Sequence, residues 1–301
     1  MGRWMKRTAI AIAVVALIAV VLALAAGPLA ERKRSRTVDL RVAPVAFVSD
    51  EASIRRGKYL YESRGCMECH GANGAGREVV NDGAGMYIRS PNISPGPGSV
   101  VKGYGEADWV RAIRHGVSAQ KHPLTLMPSR DYSRMTDADL AALVAYVRSL
   151  PPASGGAAVI RQPLVVQALY ALGAIKDDAE QIDHGLPPPV PVAEAVSVEH
   201  GRYVAFMCTG CHGDGFSGGA IPGAPPDWPP AANLTPGSGS AMASYDQPEK
   251  LAVMMRTGKR PDGRPVSAVM PFETLRNLND TDIGAIYAFL KTLPARPAGG
   301  R

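Results

Sequence analysis

The 301-residue chain contains four cysteines, in two pairs, and each pair stands in the same relation to a histidine. The segments read Cys66-Met67-Glu68-Cys69-His70 and Cys208-Thr209-Gly210-Cys211-His212. Two thiols three positions apart share one helical turn. There each can add to a haem vinyl group, and the imidazole that follows at once can meet the iron. Local disulfides would leave both histidines unexplained. A zinc ion shared by the pairs is disfavoured by their separation of 142 residues, each pair lying inside its own domain-sized repeat. The spacing predicts two covalently bound haem c groups on Cys66, Cys69, Cys208 and Cys211, with His70 and His212 as iron ligands. Such attachment takes place outside the cytoplasm, which puts these residues on the periplasmic side of a membrane.

Sliding the chain on itself by about the same interval aligns more than the two motifs. Gly57-Lys58-Tyr59 matches Gly201-Arg202-Tyr203, and Asn92-Ile93-Ser94-Pro95 matches Asn233-Leu234-Thr235-Pro236. Arg114-His115-Gly116 matches Arg256-Thr257-Gly258, Met127-Pro128 matches Met270-Pro271, and Leu150-Pro151 matches Leu293-Pro294. The chain thus holds two copies of one domain. Met127 and Met270 lie 61 and 62 residues beyond the first cysteine of their repeats, and 23 before the closing Leu-Pro. A haem iron held between His and Met is an electron-transfer arrangement in which the thioether raises the potential. Methionines also fill core gaps, but of the 11 in the chain only these two recur at matching positions before a proline. They are the predicted distal ligands. His122 is the competitor in the first repeat and has no counterpart in the second. His115 reads as a solvated or pocket-edge residue, and His184 and His200 fall where no ligand role is suggested.

Each repeat closes with a predicted helix. Thr136 caps the first, ahead of the apolar stripe Leu140, Leu143, Val144 and Val147; Asn279 caps the second, ahead of Ile283, Ile286, Tyr287 and Leu290. Tyr146 and Tyr287 are expected to pack over Gly57 and Gly201, where the missing side chain permits close helix crossing. Gly and Pro together make up 58 residues and aromatics only 6%. That composition fits an all-α fold of short helices joined by irregular loops that wrap a cofactor. The glycine-rich stretches after His70 and His212 have no preceding strand and read as such loops, not phosphate loops.

Between Arg7 and Glu31 lie 23 uncharged residues, Thr8 to Ala30. At about 1.5 Å per residue they are long enough to cross a hydrocarbon core of roughly 30 Å. Cleaved signal peptides carry apolar regions of about 7–15 residues. Ala23-Leu24-Ala25 has the small residues of a cleavage site, but the longer run favours an uncleaved transmembrane anchor. The resulting organisation is a cytoplasmic N-terminus (1–7), an anchor (8–30), a juxtamembrane segment (31–49), a first domain (50–152), a linker (153–197), a second domain (198–294) and a tail (295–301). In the linker, the apolar stretch 163–175 is too short to span a membrane; it is expected to be a helix packed between the domains, or else a docking surface for another subunit. Pro187-Pro188-Pro189-Val190-Pro191 is a stiff extended spacer.

The net charge of +6 resides wholly in residues 1–41; the remaining 260 residues carry 25 charges of each sign. A nucleic-acid partner needs a basic face on the folded domain and is not expected. A neutral body also predicts weak salt dependence of association.

Several segments carry a family resemblance. Pro91-Asn92-Ile93-Ser94-Pro95, the run Trp109 to Gly116, Met127-Pro128 with Tyr132, and the run Met135 to Pro152 resemble the membrane-bound multihaem cytochrome c subunits of periplasmic alcohol, aldehyde and sugar-acid dehydrogenases. The resemblance covers roughly residues 50–160 well and 195–294 more loosely. It implies two tandem class I cytochrome c domains behind an N-terminal transmembrane helix in the bacterial inner membrane. It further implies single-electron transfer from a periplasmic dehydrogenase to a respiratory acceptor such as a terminal oxidase. Family members often carry three haem motifs and a C-terminal tether, whereas this chain has two motifs and its apolar run is N-terminal. Dihaem carriers linking a quinol-oxidising complex to an oxidase are also similar. The alternative is a dihaem enzyme of peroxidase or thiosulfate-oxidising type, which requires a displaceable sixth ligand; methionine at both sixth positions argues against it.

Overall fold

The computed structural model describes residues 2–225, 227–237 and 239–300, apart from the side chains of residues 18, 19, 22 and 23. It opens with helix α1 (Arg3–Arg34). The expected anchor over 8–30 falls partly on side chains outside that description. Among the described residues, no helix is long and apolar enough to cross a membrane.

The two repeats fold into the same succession of helices. In the first these are α2 (Glu51–Ser63), α3 (Cys66–His70), α4 (Glu106–His115), α5 (Ser129–Tyr132) and α6 (Asp137–Ser149). After linker helix α7 (Leu164–Ala171), the second repeat contributes α8 (Val198–Ala205), α9 (Thr209–His212), α10 (Pro248–Thr257), α11 (Phe272–Leu275) and α12 (Asp280–Lys291). Local chemistry starts the closing helices alike. The Thr136 side chain accepts from the Asp139 amide at the start of α6, and Asn279 accepts from the Asp282 amide at the start of α12. Helices α4 and α10 both end on a left-handed glycine, Gly116 at φ 65° and Gly258 at φ 67°, which accounts for the repeated Arg-x-Gly.

In each repeat the entering and closing helices cross at a glycine. A Cβ on Gly57 would sit 1.9 Å from the Ala142 carbonyl oxygen, and one on Gly201 would sit 1.9 Å from that of Ala285. Tyr146 covers the first crossing as expected. The second is covered by Phe289 rather than Tyr287, and the Tyr287 hydroxyl instead donates to the Asp246 carbonyl. Each repeat has its own core. Leu60, Tyr61, Trp109, Ile113, Leu140 and Leu143 belong to the first; Val204, Met254, Leu278, Ile283, Ile286 and Phe289 belong to the second.

Two departures from the sequence reading concern the loops. The fold is mostly helical but not wholly so. β1 (Glu78–Asn81), β2 (Tyr87–Arg89) and β3 (Val159–Arg161) form an antiparallel sheet in that order. The glycine-rich segment after His70 therefore contains a hairpin, turned where Asp82 accepts from the amides of Ala84 and Met86. Ile88 pairs with Ile160 of the linker; such short β-branched runs carry too weak a periodicity to announce a strand. The second correction is α7, which packs against the end of α1, not between the domains. Lys33 Nζ reaches the Tyr170 carbonyl at 3.0 Å, and Arg36 pairs with Asp177 through two bonds of 2.7 and 2.8 Å. The chain from 37 to 49 then wraps the first repeat, with Val42, Val45 and Phe47 against its core.

Candidate functional site

The two Cys-x-x-Cys-His segments form α3 and the turn into α9, placing each pair of thiols on one turn and the histidine at its end. Cys66, Cys69 and Cys208 are half-buried and in no disulfide. Burial pushes the free Cys66 and Cys208 thiols up to about 12 and raises Cys69 as well, before any haem is attached. His70 Nδ1 donates to the Pro91 carbonyl at 3.1 Å, leaving Nε2 as the ring nitrogen for a metal. His212 Nδ1 is engaged with the Ala232 carbonyl at 2.8 Å in the same way. Fixing one ring nitrogen on a carbonyl sets the tautomer and ring orientation of a ligating histidine. Burial holds His70 below the usual imidazole range, which keeps it neutral.

The repeated Asn-x-Ser/Thr-Pro, noticed in the sequence without a role, supports those carbonyls. Asn92 accepts from the Ser94 amide at 2.8 Å and donates to the carbonyls of Pro97 and Ala153. Asn233 accepts from the Thr235 amide at 2.9 Å and donates to the Arg296 carbonyl. In both repeats a buried asparagine thus ties the loop bearing the histidine's acceptor to the chain that follows the closing helix. Its signal was a repeated polar residue able to form its own turn.

Met127 and Met270 are half-buried, each against the core of its own repeat. The Ser129 amide bonds the Met127 carbonyl at 2.8 Å, and the Phe272 amide bonds that of Met270 at 2.8 Å. The intervening prolines adopt φ −77°, ψ 58° (Pro128) and φ −77°, ψ 60° (Pro271). Each methionine therefore opens an inverse γ-turn whose φ the proline fixes. The other candidates face elsewhere. His122 Nδ1 bonds the Arg36 carbonyl. His115 is half-buried against the linker: its Nδ1 lies 3.0 Å from Nδ1 of His184, and burial followed by that neighbour lowers it to about 4. His200 is buried with Nε2 2.7 Å from Asp282.

In the second repeat the named residues come together around one cavity of about 740 Å³, within the roughly 300–1,000 Å³ of cofactor sites. Cys208, Cys211, His212 and Met270 line it, with Leu251, Met254, Leu290 and other apolar side chains. Two thiols, an imidazole, a thioether and an apolar wall are the donors and surroundings that a covalently held haem needs. The first repeat reaches the same cavity through Gly65, Glu68, Cys69, Asp131 and Tyr132.

That apposition is held by reciprocal hydrogen bonds between repeats. The Tyr59 hydroxyl donates to Asp282 at 2.6 Å and the Tyr203 hydroxyl to Asp139 at 2.6 Å. Each tyrosine oxygen also accepts the amide of the opposite helix cap, Asn279 for Tyr59 and Thr136 for Tyr203. Asp282 is fully buried and takes Arg64 at 2.8 Å as well as His200. Burial alone would raise its carboxyl, but Arg64 and Tyr59 outweigh it and hold it below the usual carboxylate range. Asp139 behaves likewise beside Arg56. Asp131 is the exception: burial and the nearby Asp178 push it up to about 7. Neither Arg64 nor Asp131 stood out in the sequence, because their charged neighbours, Asp282 and Asp178, come from the second repeat and the linker.

The family model for cytochrome c matches residues 54–151 and 198–294. The chain belongs to the cytochrome c family. Each matched segment carries one attachment motif, and the cytochrome carries covalently bound haem c, one group per segment. It is similar to the fructose dehydrogenase cytochrome subunit of Gluconobacter japonicus, 28% identical over 283 residues, which span 86% of this chain and 56% of that one. It is also similar to the gluconate 2-dehydrogenase cytochrome c subunit of Pantoea cypripedii, 26% identical over 283 residues, or 83% and 62% of the two chains. A diheme cytochrome c-type protein of Cereibacter sphaeroides is 32% identical over 119 residues, 36% of this chain and 40% of that one. The cytochrome thus spans about three fifths of the length of the dehydrogenase subunits it matches.

Proposed function

We propose that this cytochrome is the electron-transfer subunit of a periplasmic dehydrogenase, anchored in the bacterial inner membrane by α1 and delivering single electrons to a respiratory acceptor such as a terminal oxidase. The observation that carries the reading is the shared cavity: Cys69 and Glu68 of the first site line the same space as Cys208, Cys211, His212 and Met270 of the second. Two redox sites so apposed suit a relay. In this reading Cys66 and Cys69 would hold one haem and Cys208 and Cys211 the other, with His70 and Met127 offering ligands to the first iron and His212 and Met270 to the second. Haem c supplies a one-electron iron couple whose potential the methionine thioether raises. The chain's own residues keep reorganisation small. Pro91 and Ala232 orient the imidazoles, the proline turns fix the methionines, and the Tyr–Asp bonds hold the two sites at a set separation.

Membrane attachment is supported by the 23 uncharged residues within α1 and by the exposure of its described large side chains, Ile10, Ile12, Val14, Val15, Leu17, Val20, Val21 and Leu24 among them. A dehydrogenase partner is supported by the two relatives whose names place them in such enzymes. Purification of the full chain from its native membrane in mild detergent, with mass spectrometry of what remains bound, tests both. Retention of a dehydrogenase subunit is the expected result. Retention of oxidase or quinol-oxidising subunits alone would overturn the donor assignment, and recovery in the soluble fraction would overturn the anchor.

A further inference from the structure

Helix α7 is the one apolar element of the linker that the electron-transfer reading leaves unused. Residues 163–175 contain no charged side chain. Leu164, Val165, Leu169 and Leu172 are 55%, 63%, 41% and 73% exposed. The last three follow Leu164 by one, five and eight positions, and together they make one stripe on a helix whose opposite side is committed. There Tyr170 is buried, donates to Asp177 at 2.7 Å, and carries the Lys33 ammonium 4.4 Å above its ring.

The position of the stripe identifies what covers it. Among the described side chains of α1, Ala26 and Ala30 are the buried ones, α7 packs on that end of α1, and the Gln167 amide oxygen lies 3.4 Å from where a Gly27 Cβ would be. The uncharged run of α1 ends at Ala30. α7 therefore lies alongside the last turns of that run, at the depth where hydrocarbon gives way to headgroups. Exposed Arg161 and Lys176 flank the apolar stretch at its two ends and Arg32 follows the run in α1, as expected for side chains facing lipid phosphates. We propose that α7 lies in the periplasmic surface of the bilayer, its Leu164–Leu172 stripe immersed among the lipids beside the exit of α1. The inference rests on the proposed anchor. Its consequence is orientation. The Arg36–Asp177 pair, the Lys33–Glu180 pair at 3.1 Å and the Arg34–Gln162 bond at 2.7 Å join α1 rigidly to the linker. A second membrane contact then fixes how the haem domains stand over the membrane, where a lone helix would let them swivel.

The test uses the full holoprotein in vesicles of mixed zwitterionic and anionic phospholipid. The four native cysteines are taken up by haem, so one added cysteine carries a nitroxide at a time: Val165→Cys, Leu172→Cys, Val15→Cys within the anchor, and Arg55→Cys on exposed α2. Collisions with dissolved oxygen report lipid, and collisions with a water-soluble nickel chelate report water. Labels at 165 and 172 are expected to favour oxygen over chelate several-fold relative to 55, at shallower depth than 15. A lipid-buried label at 15 with chelate-accessible labels at 165 and 172 would overturn the proposal and leave the anchor standing. Labels at 165 and 172 shielded from both reagents would overturn it in favour of a protein partner or second copy. A chelate-accessible label at 15 would overturn the anchor itself.

Discussion

The two repeats of this cytochrome share a scaffold and differ in charge. Both cross their entering and closing helices at a glycine, cap the closing helix with a side-chain oxygen, open the distal turn with Met-Pro and hold the histidine through a carbonyl next to an asparagine. At the junction the parallel stops. Asp139 meets Arg56, whose side chain is 24% exposed and shared with the linker residue Glu194. Asp282 meets the buried Arg64, which has no basic counterpart in the second repeat, where Phe206 takes its place two residues before the first cysteine. Geometry was duplicated and electrostatics was not, so matched substitutions should separate what the scaffold does from what the junction does.

The largest expected effects are scaffold effects and should be equal. Gly57→Val and Gly201→Val each force a side chain into a backbone carbonyl, with a loss on the order of 5 kcal/mol. Failure to accumulate folded haem protein is the readout for both; tolerance in one repeat alone would break the parallel. Next comes the junction, where the substitutions should be unequal. Asp282→Ala leaves Arg64 as an unpaired buried charge and is expected to cost about 3–5 kcal/mol. Asp139→Ala, facing a partly solvated arginine, should cost about 1–2 kcal/mol. Denaturant unfolding of the two variants measures the difference.

Asp131 sharpens the comparison through pH. Its carboxyl is raised to about 7 in the folded chain, first by burial and then by Asp178. The folded state therefore binds this proton more tightly than the unfolded chain. The associated stability is present below about pH 4 and is lost as pH rises through about 7. Asp131→Asn should remove that decline, gaining at most about 4 kcal/mol at pH 8 relative to wild type and little at pH 4. Asp139 and Asp282 are shifted downward, and their contribution fades in the opposite direction, as pH falls below the usual carboxylate range. The smallest effects should again be equal: Tyr59→Phe and Tyr203→Phe each remove one hydrogen bond while the carboxylate keeps its arginine, costing about 1 kcal/mol in denaturant melts.

Much of the site was legible because it depends on local chemistry. The attachment motifs, the proline after each methionine and the helix caps act through neighbours a few residues away; the crossing glycines meet a distant helix, but duplication marked them twice like the rest. What escaped depends on apposition. Arg64 meets its carboxylate, Asp282, only in the second repeat, and Asp131 meets its acidic neighbour, Asp178, only in the linker. The hairpin of Glu78–Asn81 and Tyr87–Arg89 needs Val159–Arg161 from the linker to complete its sheet. The residue covering Gly201 is Phe289 and not Tyr287, a matter of helix rotation that an apolar stripe leaves open by a fraction of a turn. The placement of α7 escaped for the same reason, since its partner is α1, more than a hundred residues earlier.

Met127 and Met270 are proposed to complete an electron-transfer ligand set in both repeats. Ferric iron bound by a thioether has a sulfur-to-iron charge-transfer band in the far red, and its amplitude counts methionine-ligated haems. The full holoprotein should show the band. Met127→Ala and Met270→Ala should each lose about half its amplitude, and the double variant should lose all of it with both haems still attached by mass. A high-spin ferric haem in the wild-type protein, or a band unmoved by either substitution, would contradict the account.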